Sequence, residues 1–105
     1  MKVNNENESI LYEALKITNE RVSTYGDPID NLSTIASLWN QYIKSKSKTK
    51  LKYENDLCII TIKDVSMMMI LLKVARELNS TNKDNLIDIA GYCRLSSVIE
   101  GFENI

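Results

Sequence analysis

The chain predicts an all-α fold, a four-helix bundle, and three observations carry that expectation. Residues from Val65 to Leu78 are apolar at almost every position, as in a buried helix. Three other stretches repeat apolar residues at helical spacing. Residues suited to helix ends separate the stretches. The expected helices cover about 9–25, 28–45, 62–79 and 82–100, in one domain over 1–105. A strand is conceivable only over Leu57 to Ile62, where it has no evident partner.

The first eight residues are polar, rich in Asn and Glu, and expected to fray. Ser9 is placed to cap the first helix, in which Ile10, Leu11, Ala14, Leu15, Thr18 and Val22 share a face. Tyr25-Gly26-Asp27-Pro28 reads as a stop and restart. Gly26 can adopt the positive φ that ends a helix, Asp27 can cap the next, and Pro28 suits a first turn whose N–H has no intrahelical partner. Asp30 adds favourable charge there. The second helix carries Ile29, Leu32, Ile35, Ala36, Trp39, Tyr42 and Ile43 on one side, expected to bury against the first and third helices.

Lys44, Lys46, Lys48, Lys50 and Lys52 alternate through the following segment, and such charge density favours a solvated connection. Thr61 and Asp64 then form a capping-box pattern, with Ile60 and Val65 placed as a hydrophobic staple. The third helix reads as the centre of the bundle, with a polar stripe of Ser66, Lys73, Arg76 and Glu77. Asn79 suits a left-handed cap at its end. Thr81 or Asn82 caps the fourth helix. One of its faces carries Leu86, Ile89, Ala90, Cys93 and Ser97, another Asp84, Asp88, Tyr92 and Leu95. Gly91, costly in mid-helix by about 1 kcal/mol, implies close approach of a neighbour, and Gly101 ends the element.

Composition removes several function classes. Thirteen Lys and Arg against 14 Asp and Glu leave a formal charge of −1, which argues against a dedicated nucleic-acid binder. There is no histidine, so Ser-His and Cys-His nucleophile pairs are absent. The widely separated Cys58 and Cys93 do not suggest structural zinc and are expected to be free and buried. MKVNNENESI lacks the apolar stretch of a secretory signal, and the central apolar run is interrupted by Lys73 and Arg76. A reducing, cytoplasmic setting without a membrane span is expected. A chain this small has a modest core, and the Met67-Met68-Met69 helix makes a homodimer the expected assembly.

The groups that can carry chemistry are acidic and basic residues on otherwise apolar helices. Asp84 and Asp88 lie one turn apart, and with Glu13 or Glu20 they would offer oxygen ligands to magnesium. The candidate catalytic set is therefore Glu13, Glu20, Asp84 and Asp88, with Glu20, Asp84 and Asp88 as metal ligands. The structural alternative is that Asp84 serves the helix N-terminus and Asp88 pairs with a cation of another helix. Lys73 and Arg76 can neutralise phosphate, or join an ion network with Glu20, Asp64 or Asp88. Arg21, Tyr25 and Asn31 surround the first interhelical turn: Arg21 can reach a phosphate, Tyr25 can stack on a base or seal a pocket, and Asn31 can read a base edge. Equally, Tyr25 can cover the core while Arg21 and Asp27 brace the turn. The lysine run can attract phosphates, an anionic membrane or an acidic protein, or simply remain solvated.

The runs ERVSTYGDPIDN, IASLW, DVSMMMILLKVAR and DNLIDIAGY resemble a family of small uncharacterised helical proteins found largely in phages and prophages. The resemblance covers roughly residues 10–99. The last run is also similar to the D-x-L-x-D-x-A-x-Y pattern of a phage nucleotide-modification-associated domain, which singles out Asp84, Asp88 and Tyr92. More remotely, the bundle resembles the MazG-like all-α nucleoside triphosphate pyrophosphatases, which bind magnesium through carboxylates of several helices. Their E-x-x-E and E-x-x-D pairs are replaced here by Glu13 with Glu20 and Asp84 with Asp88. These resemblances imply a nucleotide-binding protein, possible as a magnesium-dependent pyrophosphohydrolase. The alternative from another class is a module that binds a host protein through its helical face or lysine-rich loop, without catalysis.

Overall fold

The computed structural model describes residues 5–46 and 59–105, apart from the side chains of Thr24, Tyr25 and Lys46. After a 3-10 turn over Glu6–Glu8 come α1 (Ile10–Tyr25), α2 (Pro28–Lys46), α3 (Ile62–Asn79) and α4 (Lys83–Ile99). The fold is an all-α four-helix bundle, with no strand among the described residues. Residues 47–58, which include Cys58 and most of the lysine-rich connection, lie outside the described residues.

Local chemistry sets the helix ends. The Ser9 side chain accepts a hydrogen bond from the Leu11 N–H, and the Asp27 carboxylate one from the Ile29 N–H. Gly26 takes φ 82° between the two helices. Thr61 and Asp64 close the capping box reciprocally at α3, and Asn82 caps α4 through the Asp84 N–H. Beyond α4, Gly101 has φ 81°, with Gly101 N–H donating to the Val98 carbonyl and Phe102 N–H to that of Ser97. That pair of bonds is a Schellman ending. Asn79 does not form the expected left-handed cap, since no described non-glycine residue has positive φ. Instead Ser80 is extended and its N–H closes on the Arg76 carbonyl.

Packing corrects the expected centre. α4, not α3, is the hub: it packs extensively on α3 and on α1 and also touches α2. α1 and α3 both pack on α4 rather than on each other, and α2 packs mainly on α3. Small groups let α4 serve two neighbours, with Gly91 beside Thr18 of α1 and Ser96 beside Ser66 of α3. The core centres on Leu32, Ala36, Val65 and Leu95. On α4 the buried stripe is Ile87, Gly91 and Leu95; Leu86 is exposed, and so is the free Cys93, which was expected to be buried.

α3 buries polar residues beside its apolar core residues Ile62, Val65 and Met69. Three residues of its polar stripe are bonded towards α4: Ser66 to the Tyr92 carbonyl, Lys73 to Asp88, and Glu77 to Thr81, Asn82 and Asn85. Meanwhile Met67, Met68, Leu71, Leu72, Val74 and Leu78 are exposed. Apolar residues around a helix ordinarily imply burial on all sides, but the polar stripe supplies the bonds that hold α3 to α4, and much of the apolar surface is left facing out.

Candidate functional site

Two cavities meet at the wall formed by Thr18, Arg21 and Leu95. The larger, about 380 Å³, opens between α1, α2 and α4 and is also lined by Gly26, Pro28, Asn31 and Leu32. The smaller, about 210 Å³, lies between α1, α3 and α4. Its polar lining includes Lys73, Asp88 and Tyr92, set among apolar residues such as Ala14 and Ile87. The first cavity falls in the lower part of the size range typical of small-molecule sites.

The local folding explains how these groups arrive there. The Gly26 turn and the Asp27 cap bring the first turns of α2 alongside the end of α1, so Asn31 and Arg21 line the same cavity. Arg21 has no ion-pair partner among the described residues. Lys73 Nζ lies 3.0 Å from an Asp88 carboxylate oxygen, with the two side chains 15% and 32% exposed. The pair therefore sits mostly withdrawn from solvent, as the ion-network alternative requires. Tyr92 lines the smaller cavity while packing against the core, and its carbonyl accepts a bond from Ser66.

Other expected site residues lie elsewhere. Glu13 pairs with Lys83 at 3.1 Å, and Glu20 lies 3.9 Å from Lys16 one turn earlier on α1. Asp84 is exposed in the first turn of α4, where its charge suits the helix N-terminus. Arg76 lines a separate depression with Asn79, Asn82 and Asn85. The Tyr25 side chain lies outside the described residues. The expected magnesium set of Glu20, Asp84 and Asp88 is not gathered: among the described residues no group of three or more acidic or thiol side chains could hold a metal ion. Among the described residues Asp88 is the one carboxylate lining either cavity, and it is engaged by Lys73. This donor set does not fit a protein-held magnesium ion, which calls for more oxygen ligands or substrate phosphates.

Arg94 is the residue the sequence reading passed over. Its Nη1 donates to Thr18 Oγ1 and Asn19 Oδ1, both at 2.7 Å, and its Nε donates to Glu103 at 2.8 Å. It thereby holds α1, α4 and the C-terminal residues together behind the shared cavity wall. Its isolation as a cation within the largely apolar run IAGYCRLSSVI is the signal that could have identified it. Thr18 is buried and also donates to the Ala14 carbonyl, so the wall is polar yet satisfied.

Two carboxylates outside the cavities have lowered pKa values. The Thr61 N–H, then its hydroxyl, stabilises charged Asp64. The Thr81 hydroxyl, then the Asn82 N–H, does the same for Glu77. Both serve helix ends. No described helix is long and apolar enough to cross a membrane.

The chain is similar to the Gene 55 protein of Mycobacterium phage L5, 40% identical over 86 residues that cover 80% of this chain and 47% of that protein. It is also similar to the Gene 55 protein of Mycobacterium phage D29, 34% identical over 87 residues, 81% of this chain and 49% of that protein. The chain thus spans about half the length of these curated relatives. No solved structure matches it significantly. A family model described as Domain of unknown function (DUF6378) matches residues 9–100, and the chain belongs to that family.

Proposed function

We propose that the protein binds a nucleotide in the paired cavities between its helices. The observation that carries this reading is Arg21, which lies on the wall common to both cavities and has no ion-pair partner among the described residues. An arginine in that position can grip a phosphate with two parallel hydrogen bonds. Lys73 adds a second positive group in the smaller cavity, and Asn31 offers an amide to a base edge in the larger. Tyr92 contributes an aromatic wall beside Lys73. In this reading the phosphates lie towards Arg21 and Lys73, and the base towards Asn31.

The proposed activity is binding. With Asp88 engaged by Lys73 and the other expected carboxylates elsewhere, no hydrolytic step is derived, and any magnesium would arrive bound to the nucleotide's phosphates.

Calorimetric titration with nucleoside mono- and triphosphates, with and without magnesium, tests the reading. Binding should weaken roughly tenfold or more in Arg21→Ala, the scale of a lost charge-assisted hydrogen bond. If neither class of nucleotide binds under either condition, the proposal fails. Pyrophosphate release measured in the same samples tests hydrolysis separately.

A further inference from the structure

Building on the nucleotide site proposed for the paired cavities, we infer that its ligand is a nucleoside monophosphate rather than a triphosphate, and that Asp88 sets this preference. Among the described residues the charged side chains lining the two cavities are Arg21, Lys73 and Asp88. Two cations and one carboxylate leave a single net positive charge, because Asp88 holds Lys73 at 3.0 Å. A phosphate monoester carries about 1.5 to 2 negative charges at neutral pH, which Arg21 and the partly neutralised Lys73 can meet. A triphosphate adds two more anionic groups, and the cavities offer nothing further to balance them.

The other cations of the surrounding helices are engaged or distant. Lys16 pairs with Glu20, Lys83 with Glu13, and Arg94 with Glu103. Arg76 has no ion-pair partner among the described residues, but it lines a separate depression. Magnesium ordinarily relieves the charge of a triphosphate, held by one or two carboxylates together with the phosphates. Here the one lining carboxylate among the described residues is engaged by Lys73, and no group of three or more acidic or thiol side chains could hold a metal ion. A monophosphate needs no such ion.

Room points the same way. The larger cavity, about 380 Å³, suits a base and sugar beside Asn31. The smaller, about 210 Å³, equals the share of about seven waters at roughly 30 Å³ each. That is room for one phosphate and not for a chain of three. Within so small a space any further phosphate lies close to Asp88, whose side chain is 32% exposed, and like charges repel. Asp88 therefore discriminates by repulsion as well as by occupying Lys73.

Calorimetric titration of the unmodified chain tests the inference with each common nucleoside, its monophosphate and its α,β-methylene triphosphate, in magnesium and in chelator. The methylene bridge prevents release of a monophosphate during the measurement. The monophosphate should bind at least about tenfold more tightly than either the nucleoside or the triphosphate of the same base, with or without magnesium. Asp88→Asn leaves two cations and no carboxylate, so the gap between mono- and triphosphate should fall below about threefold, chiefly through tighter triphosphate binding. Lys73→Gln leaves Asp88 unopposed and should widen the gap. A triphosphate that binds as tightly as the monophosphate in either condition overturns the inference while leaving a nucleotide site in place. Failure of every nucleotide to bind overturns the nucleotide reading itself. A gap unmoved by whichever of the two variants folds removes Asp88 from its role.

Discussion

Lys73 Nζ lies 3.0 Å from the Asp88 carboxylate across the α3–α4 interface, so among the described residues the one acidic group lining the smaller cavity neutralises one of its two cations. Asp88→Asn should free Lys73 for an anion and tighten nucleotide binding severalfold. It should cost about 1–2 kcal/mol of stability, between the effects known for exposed and buried pairs. Paired calorimetry and urea unfolding measure both quantities. Weakened binding in a folded variant would instead assign Asp88 a direct part in holding the ligand.

The Ser66 hydroxyl is fully buried, donates to the Tyr92 carbonyl at 2.9 Å and lies 2.8 Å from the Ser96 hydroxyl. Ser66→Ala removes one of the hydrogen-bonded links between α3 and α4 and takes a partner from Ser96. Loss of about 1–2 kcal/mol in urea unfolding is expected. The exposed Ser33→Ala should change stability by less than about 0.5 kcal/mol.

Gly91 sits where α1 crosses α4, yet an added Cβ would lie 3.6 Å from Thr18 Cγ2, an ordinary contact, and its φ is not positive. Gly91→Ala should therefore stabilise the chain by about 0.5–1 kcal/mol through higher helix propensity. Gly101→Ala should do the reverse, because Gly101 holds φ 81° at the Schellman ending. Thermal and urea unfolding of the two variants should move in opposite directions.

Glu77 accepts bonds from the Thr81 hydroxyl and the Asn82 N–H, and these hold its pKa below the usual 4.5. A carboxylate with a lowered folded pKa contributes stability that is complete above its unfolded pKa and lost as pH falls through the folded value. Melting temperatures compared from neutral pH to below 4 should show a smaller acid-induced drop for Glu77→Gln than for the unmodified chain. Equal drops would mean that the link between α3 and α4 does not depend on the Glu77 charge.

The sequence by itself determined the four helices and most of their ends, because those signals act within a few residues. Ser9, Asp27, Thr61 with Asp64, and Gly101 each make the bonds their chemistry suggests. It also contained the polar groups that line the cavities, but helical spacing cannot say which groups on different helices will meet. Only tertiary packing made α4 the hub, brought Arg21, Asn31, Lys73, Asp88 and Tyr92 to adjoining cavities, and left Glu13, Glu20, Asp84 and Arg76 elsewhere. It also decided the rotation of α3, where satisfying Ser66, Lys73 and Glu77 against α4 took precedence over burying Leu71 and Leu78. The physical reason is that unpaired polar groups are costly in an interior, while apolar side chains can remain outside.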